Sequence, residues 1–483
     1  MMKWLGQITA SLLAVLALAS LGTYWALLPP AVPVPAAMDR MISDVTVLNP
    51  GQPARLHQTI LIKDGLISDI RDLRSDDEPP ICSGCLVMPG LIDAHVHTPP
   101  AIALGNQRLF SLLYLKYGVT SVRDVGQLDD SVAKLADRID RGTIAGPRMY
   151  RCGPALDGDP PSFTGAEAIL TAEGGAERVR QLADAGVDCI KVYDTVPRES
   201  LDGIQSSAAE LGLPLIGHTP HSVKLSELEN FELQHFTGVS YLHSPPPESA
   251  SYRSEDIQAM SPDEVTELIA VMKRNKVSIL PTLANLMARL TAADQGRFPA
   301  TPGMAHLPQI WEIAWPTIVS HPQNETEIEI EVDVFPKLLE LLRLAREADV
   351  DVLAGSDVIM PWVVPGESLH LEMMHLGRAF DDNDQALRSA TAVNGRHIDD
   401  GKIGTLSVGA FADMLILQAD PRLDLRALLD WQFLIVGGRL YTKGEIDAAL
   451  ERYDQHFQGR FYKTIMGGAY SWLASDYAHQ SGE

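Results

Sequence analysis

The sequence predicts an α/β protein: a (β/α)8 TIM barrel carrying a small β-sandwich domain built from both the N- and C-terminal segments, preceded by an N-terminal hydrophobic helix. Three observations predict it. Eight short apolar or β-branched runs alternate with longer helical stretches through the middle of the chain, the pattern of repeated βαβ units. Hairpin-like strand pairs flank that middle on both sides, around Asp64-Gly65 and Gly437-Gly438. The 483 residues also exceed the roughly 250 of a typical barrel, leaving room for a smaller unit.

In chain order, residues 1–28 form the hydrophobic helix. No charge occurs between Trp4 and Met38. As a helix, the apolar stretch Trp4–Leu28 would span about 37 Å, against a hydrocarbon core of roughly 30 Å. The segment reads as a signal peptide or membrane anchor. Lys3 precedes it and Tyr24 and Trp25 suit an interfacial belt near its far end, which places the body on the non-cytoplasmic side, periplasmic or extracellular. Ala17-Leu18-Ala19 offers a cleavage site, although the apolar run continues past it as an uncleaved anchor would. Residues 29–40 are a Pro-rich, extended linker.

Residues 41–86 supply the first part of the sandwich, with strands at Val45–Leu48, Thr59–Lys63 and Leu66–Ile70. The barrel occupies 87–400, with runs at Val87–His95, Val119–Val125, Arg148–Cys152, Asp188–Tyr193, Leu213–His218, Glu232–His235, Val277–Leu283 and Val350–Asp357. Gly118, Gly146, Gly186 and Gly212 precede four of them, where helices stop before strands. The stretch 284–349 is too long for one crossover and predicts an extra helix or a lid over the mouth. Residues 401–444 return to the sandwich through Asp413–Leu417, Phe433–Val436 and Arg439–Tyr441, and 445–483 form a tail that is helical over Ala448–Phe461.

Hydrophobic residues at 46% and charged residues at 21% are globular values. The net charge of −24 repels phosphate backbones and excludes nucleic acid as a partner. Its ordinary meaning is a soluble, self-repelling surface. Of four cysteines, Cys82 and Cys85 are the sole close pair, a small disulfide loop or two free thiols. Cys152 and Cys189 fall inside predicted strands, too far along the chain to complete a zinc site with them.

Six residues close predicted strands: His95 and His97, Lys191, His218, His235 and Asp357. In a (β/α)8 barrel the carboxyl ends of the strands converge on one mouth, so these side chains read as one metal site. His95 and His97 are two apart and share a face. Each has a plain alternative: a satisfied core or loop histidine, a salt-bridged lysine, a helix N-cap aspartate. Their joint placement at successive strand ends outweighs those readings. His221 and His243 are rival ligands. Arg123 reads as a clamp for a substrate carboxylate or as one half of an ion pair with a neighbouring acid. His370 and His375 read as structural.

Met88-Pro-Gly-Leu-Ile-Asp-Ala-His-Val-His97 resembles the amidohydrolase superfamily, whose first barrel strand ends in such a pair. The resemblance runs from about Met41 to Gly444 and points to the imidazolonepropionase-like branch that includes metal-dependent Xaa-Pro dipeptidases. It implies that His95 and His97 are first-strand ligands, that Lys191 is the fourth-strand lysine that becomes carboxylated, and that His218 and His235 are the fifth- and sixth-strand ligands. It likewise makes Asp357 the eighth-strand aspartate that binds metal and handles the proton. Thr391–Asn394, Ile403–Leu406 and Gly409–Asp413 resemble the family's return into the sandwich.

The implied cofactors are one or two Zn²⁺ ions and a CO2-derived carbamate on Lys191, because an ammonium cannot bind a cation. The implied reaction is attack of a metal-bridging hydroxide on a carbon–nitrogen bond of a small molecule, a dipeptide of Xaa-Pro type or an N-acyl amino acid. Tyr193 or His243 would donate to the developing oxyanion. A lactone or phosphotriester is the alternative electrophile. A non-catalytic scaffold would show gaps among the ligands, and none occurs. The remaining expected partners are the membrane, through an uncleaved N-terminal segment, and a second copy in a homo-oligomer.

Overall fold

The computed structural model describes residues 2–468 apart from 83, 164, 248–251, 296–300, 313–314 and 316–324, so the end of the expected tail, 469–483, lies outside the described residues. A helix covers Met2–Leu27. The strands follow as β1 Arg40–Val47, β2 Arg55–Lys63, β3 Leu66–Asp72, β4 Leu86–Pro89, β5 Leu91–Val96, β6 Val119–Asp124, β7 Arg148–Arg151, β8 Leu156–Asp157, β9 Glu167–Ala168, β10 Ile190–Val192, β11 Leu215–Gly217, β12 Phe231–Gln234, β13 Ser278–Leu280, β14 Met414–Leu417, β15 Phe433–Val436 and β16 Arg439–Thr442.

Both ends of the chain build one continuous seven-stranded sheet, in the order β16-β15-β14-β4-β1-β2-β3. It forms because aliphatic side chains recur at alternate positions and gather on one face. Ile42, Ile60, Ile62 and Ile67 from the N-terminal strands meet Met414, Ile416 and Ile435 from the C-terminal ones in a single buried cluster. The opposite face, with Met88, Leu415, Leu417 and Leu434, joins the core of the large domain. The sheet coils far enough that its two hairpin turns touch: a Cβ on Gly65 would lie 3.3 Å from the Gly437 carbonyl oxygen.

The middle of the chain forms two parallel sheets, β5-β6-β7 and β13-β12-β11-β10-β8-β9. Residues 351–358 lie between them on one side. They bond Ile279 of β13, through Ile279 N to Asp351 O at 3.0 Å and Leu353 N to Ile279 O at 2.8 Å, and also β5, through Ala94 N to Ala354 O at 3.1 Å. On the other side Asp188 N donates to Arg151 O at 2.7 Å, and a Cys152–Cys189 disulfide ties the ends of the neighbouring segments. The domain is TIM-barrel-like.

Several expectations need correction. The run Val87–His95 is two strands, not one. Its first half belongs to the end sheet as β4, and the chain turns at Gly90, where a side chain would collide with Thr120. The short strands β8 and β9 were not expected. Gly118, Gly186 and Gly212 take positive φ, but Gly146 does not: it is required because a Cβ there would meet Ile139 at 2.7 Å. The linker packs on the body: Val32 and Val34 lie against the core, and the Pro35 carbonyl accepts from Arg439 Nη1 at 2.9 Å. Cys152 and Cys189 are bonded to each other, as are Cys82 and Cys85, so no described cysteine is free.

Within 284–349 the described chain forms helices Leu283–Gln295 and Glu325–Glu347. Between them Trp311 donates to Asn106 Oδ1 at 3.0 Å and Trp315 to Ile359 O at 3.2 Å, which packs this insertion beside the loop after the 351–358 segment. The tail helix is Lys443–Phe457, which starts five residues before the expected Ala448, at a capping box of Thr442 and Glu445. Leu13, Val15, Leu16, Leu18 and Trp25 of the first helix are exposed. Among the described residues, no helix is long and apolar enough to cross a membrane.

Candidate metal centre

β5 ends at the rim, and its alternation sends His95 and His97 to the same side. Their rings lie 5.4 Å apart. Asp357 reaches the same point from the 351–358 segment, its Oδ1 3.1 Å from His95 Nε2 and 3.5 Å from His97 Nε2. These three offer ligand atoms that all lie within 4.8 Å of one another. The His235 ring is 4.9 Å from that of His95, and the His218 ring 5.1 Å from that of His235. Lys191 is buried on β10, its Nζ 5.8 Å from the Tyr193 ring.

The seam that carries Asp357 is stitched from both sides. Ser356 donates to Asp93 through its backbone N at 2.9 Å and its hydroxyl at 2.6 Å, and Asp357 N donates to His95 O at 2.8 Å. Asn394 bonds Ile92 O and Ala354 O, each at 2.8 Å. Burial pushes the Asp93 carboxyl up to about 7, against the pull of its Ser356 bonds. Asp357, His235 and Thr282 all hold positive φ, at 64°, 59° and 50°. Such backbone is costly for non-glycine residues and persists where the surroundings over-determine it, commonly at functional sites.

Each of the four histidines has its Nδ1 occupied: His95 by Gln234 Oε1, His97 by Gly126 O at 3.1 Å, His218 by Asp194 Oδ1 at 3.0 Å and His235 by Thr282 Oγ1 at 2.6 Å. The Nε2 atoms of His95 and His218 are buried without a hydrogen-bond partner, that of His95 being near Asp357 but not aligned for one. A buried, unpaired ring nitrogen is unfavourable unless something else takes its lone pair. Metal-ligating imidazoles show this division, with one nitrogen held by a protein group and the other left for the ion. The donor set of neutral imidazoles and carboxylate therefore fits a divalent cation such as Zn²⁺.

Electrostatics agrees. Burial, then the Lys191 charge, pushes the His95 imidazole down to about 3, and burial holds His235 well below its ordinary value, so both rings are neutral, as ligation requires. Burial alone would raise Asp357, but the His95 and His97 contacts win and keep it ionised. Asn285 Nδ2 donates to its other oxygen, Oδ2, at 2.7 Å. Burial lowers the Lys191 amine to about 8, partly offset by Asp357 and Asp194.

The other candidates separate. Tyr193 stacks on His218 with ring centroids 4.1 Å apart and has Phe163 behind it at 5.1 Å. His243 is not part of this cluster: its side chain is 69% exposed and pairs with Glu267 Oε2 at 3.2 Å. His221 donates its backbone N to Asp194 O at 2.8 Å, and its Nε2 is buried without a partner. Arg123 is no free clamp, since it is 1% exposed and paired with Glu232. His370 is buried against Tyr117 O at 2.8 Å, and His375 packs on Phe335. Sequence reasoning did not single out Gln234, Asn285, Thr282 or Asp194. The one local signal was the pair Glu232 and Gln234, polar residues at alternate positions of a strand that is otherwise apolar.

The sequence model of the Amidohydrolase family matches residues 86–442. No curated protein matches the chain. Among solved structures, the chain is similar to a bottromycin amidohydrolase, with a TM-score of 0.66 and 20% identity over 86% of this chain and 90% of that one. It is also similar to a Xaa-Pro dipeptidase with methionine bound in its active site, with a TM-score of 0.59 and 20% identity over 84% of this chain and 100% of the other. A third is a prolidase complexed with N-methylphosphonate-L-proline, with a TM-score of 0.60 and 18% identity over 84% and 100%. At these identities the likeness speaks for the fold.

Proposed function

The chain belongs to the amidohydrolase family and is a hydrolase acting on carbon–nitrogen bonds, and from that premise we propose that it cleaves a dipeptide of Xaa-Pro type or an N-acyl amino acid. The observation that carries the proposal is the convergence of His95, His97 and Asp357 within 4.8 Å, with His235 beside them. The prolidase and dipeptidase character of the similar structures supports the substrate class.

His95, His97, His218, His235, Asp357 and a carbamate on Lys191 would hold one or two zinc ions, which supply Lewis acidity for the scissile carbonyl and bring the pKa of water toward 7. Lys191 becomes a ligand when its neutral amine forms an N–C bond to carbon dioxide and releases one proton to solvent. Its lowered pKa of about 8 supports this, because it leaves an appreciable neutral fraction near neutrality. Asp357 accepts the proton of the attacking water and delivers it to the leaving nitrogen, with Asn285 fixing the carboxylate plane. The Tyr193 phenol, stacked on His218, donates to the carbonyl oxygen as charge grows there. We read β5, β6, β7, β10, β11, β12, β13 and the 351–358 segment as one closed eight-stranded barrel.

We also propose that the protein is exported, with residues 1–28 as signal or anchor. Two disulfides support an oxidising compartment, and the exposed apolar side chains of the first helix support a lipid-facing or translocated segment. Fractionation of the producing cell tests this: recovery with the reducing compartment would overturn it. For the activity, zinc-loaded protein is assayed against Xaa-Pro dipeptides, N-acyl amino acids, lactones and phosphotriesters. Turnover of an amide class is expected, and turnover confined to the last two would overturn the substrate proposal.

A further inference from the structure

We propose that Gln234, Glu232 and Arg123 are positioning residues that fix the tautomer of His95 and so prepare its Nε2 to bind the ion. This rests on the metal reading above. The three side chains are 0%, 5% and 1% exposed and lie beneath the rim, within the barrel-like core. Arg123 Nε donates to Ala94 O at 2.9 Å, next to His95 in the chain, and its two terminal nitrogens reach both Glu232 oxygens, Nη1 at 3.1 Å from Oε2. Gln234 Nε2 donates to Glu232 Oε1 at 2.6 Å, and Gln234 Oε1 contacts His95 Nδ1.

Each link of this chain has only one possible direction. A guanidinium carries donors alone, and an ionised carboxylate carries acceptors alone. The Gln234 group facing Glu232 must therefore be the NH2, which turns the amide oxygen toward His95. An amide oxygen only accepts, so His95 Nδ1 must carry the proton. The lone pair is left on Nε2, the atom that is buried without a hydrogen-bond partner and stands 3.1 Å from Asp357 Oδ1. Flipping the Gln234 amide would set its NH2 against the wrong nitrogen and its oxygen against a carboxylate, two unfavourable contacts in a buried place.

Two of the other histidines do not need such a device. A backbone carbonyl at Gly126 and a carboxylate at Asp194 can only accept, so His97 and His218 have their tautomers fixed in one step. His95 faces an amide, which can present either end. The ion pair two links away decides which end it is.

The test is zinc competition with a chromophoric chelator, comparing the full chain with Gln234→Met, which keeps the length and removes both polar ends. The expected result is a zinc Kd raised by roughly ten- to a hundredfold, the usual loss when such an outer partner goes, while the zinc-free variant still unfolds in one cooperative transition. Equal zinc affinity in the two proteins would overturn the proposal. Failure of the unsubstituted chain to bind zinc would instead overturn the metal reading on which it rests. A second measurement does not depend on the variant folding. In zinc-free, 15N-histidine-labelled protein, His95 is expected to show the Nδ1–H tautomer, and an Nε2–H tautomer would also overturn the proposal.

Discussion

The end sheet and the rim of the metal centre are built on opposite principles. In the sheet, sequence pattern, turn chemistry and burial agree: Ile42 pairs with Ile60 across β1 and β2, both fully buried in an aliphatic cluster. At the rim they conflict. His235, Thr282 and Asp357 hold backbone angles disfavoured for their side chains, a carboxylate and a lysine are buried, and two imidazole nitrogens lack partners. Local consistency is what makes a sequence fold, and departures from it mark where structure has been given over to chemistry. The sheet should thus carry stability without chemistry, and the rim chemistry without stability.

The sharpest way to break this contrast is to exchange the effects. Asp357→Asn keeps the shape and removes the proton acceptor. A loss of about 10³-fold or more in kcat/KM is expected, the scale of a general acid–base contribution, with a Tm that does not fall. Ile60→Ala should do the reverse. It costs about 2–5 kcal/mol, the range for an aliphatic truncation in a packed core, and urea unfolding would register it, while kcat per folded molecule stays constant. A stable Ile60→Ala protein or an Asp357→Asn protein that melts early would dissolve the distinction.

The same contrast explains what could be read from the chain. The end-sheet strands were legible because alternation is a local signal, and the metal candidates because histidines and an aspartate at strand ends are rare and ordered. The boundary at Gly90 was missed although Pro89-Gly90 interrupts the run, and the reason that no side chain fits there, a collision with Thr120, exists only in the folded chain. Cys152 and Cys189 were judged by their distance along the chain, although they close adjacent segments and so sit side by side. Gln234, Asn285 and Thr282 are common polar residues whose roles come from partners 139, 72 and 47 positions away. The Pro-rich linker shows the converse. Composition gave its stiffness but not that Val32 and Val34 would pack on the core and Arg439 would hold the Pro35 carbonyl.

A gentler perturbation sharpens where the rim begins. A Cβ on Gly355 would come within 2.8 Å of both the Cβ and the backbone N of His95. Backbone cannot give way as a flexible side chain can, so Gly355→Ala should push β5 outward. Overpacking of this kind costs about 1–3 kcal/mol. Because the displaced residue is a ligand, zinc affinity should fall along with Tm, and a chelator titration run beside a melting curve would show both. A fall in Tm alone would place Gly355 with the packed core rather than with the centre.

The smallest expected effect lies just behind the rim. Glu372 is fully buried, and its Oε2 accepts from Ala284 N at 2.7 Å, at the start of the helix whose Asn285 holds Asp357. Its Oε1 has no partner, and burial pushes its pKa up to about 8 from 4.5. A folded-state pKa above the unfolded value means the folded chain holds the proton longer. Its stabilising contribution is complete below about 4.5 and drains away as pH rises toward 8. Glu372→Gln cannot ionise, yet still offers an oxygen to Ala284 N. Its Tm should match or fall below that of the unsubstituted chain at pH 4.5, where a neutral carboxyl does the same work with a smaller polar burden. Between pH 4.5 and 8 the difference should swing steadily in favour of the variant, the direction that linkage requires of a raised carboxyl pKa. Parallel Tm–pH curves would mean that Glu372 stays ionised in the fold, so that the polar support of the rim extends one shell deeper than the Asn285–Asp357 contact.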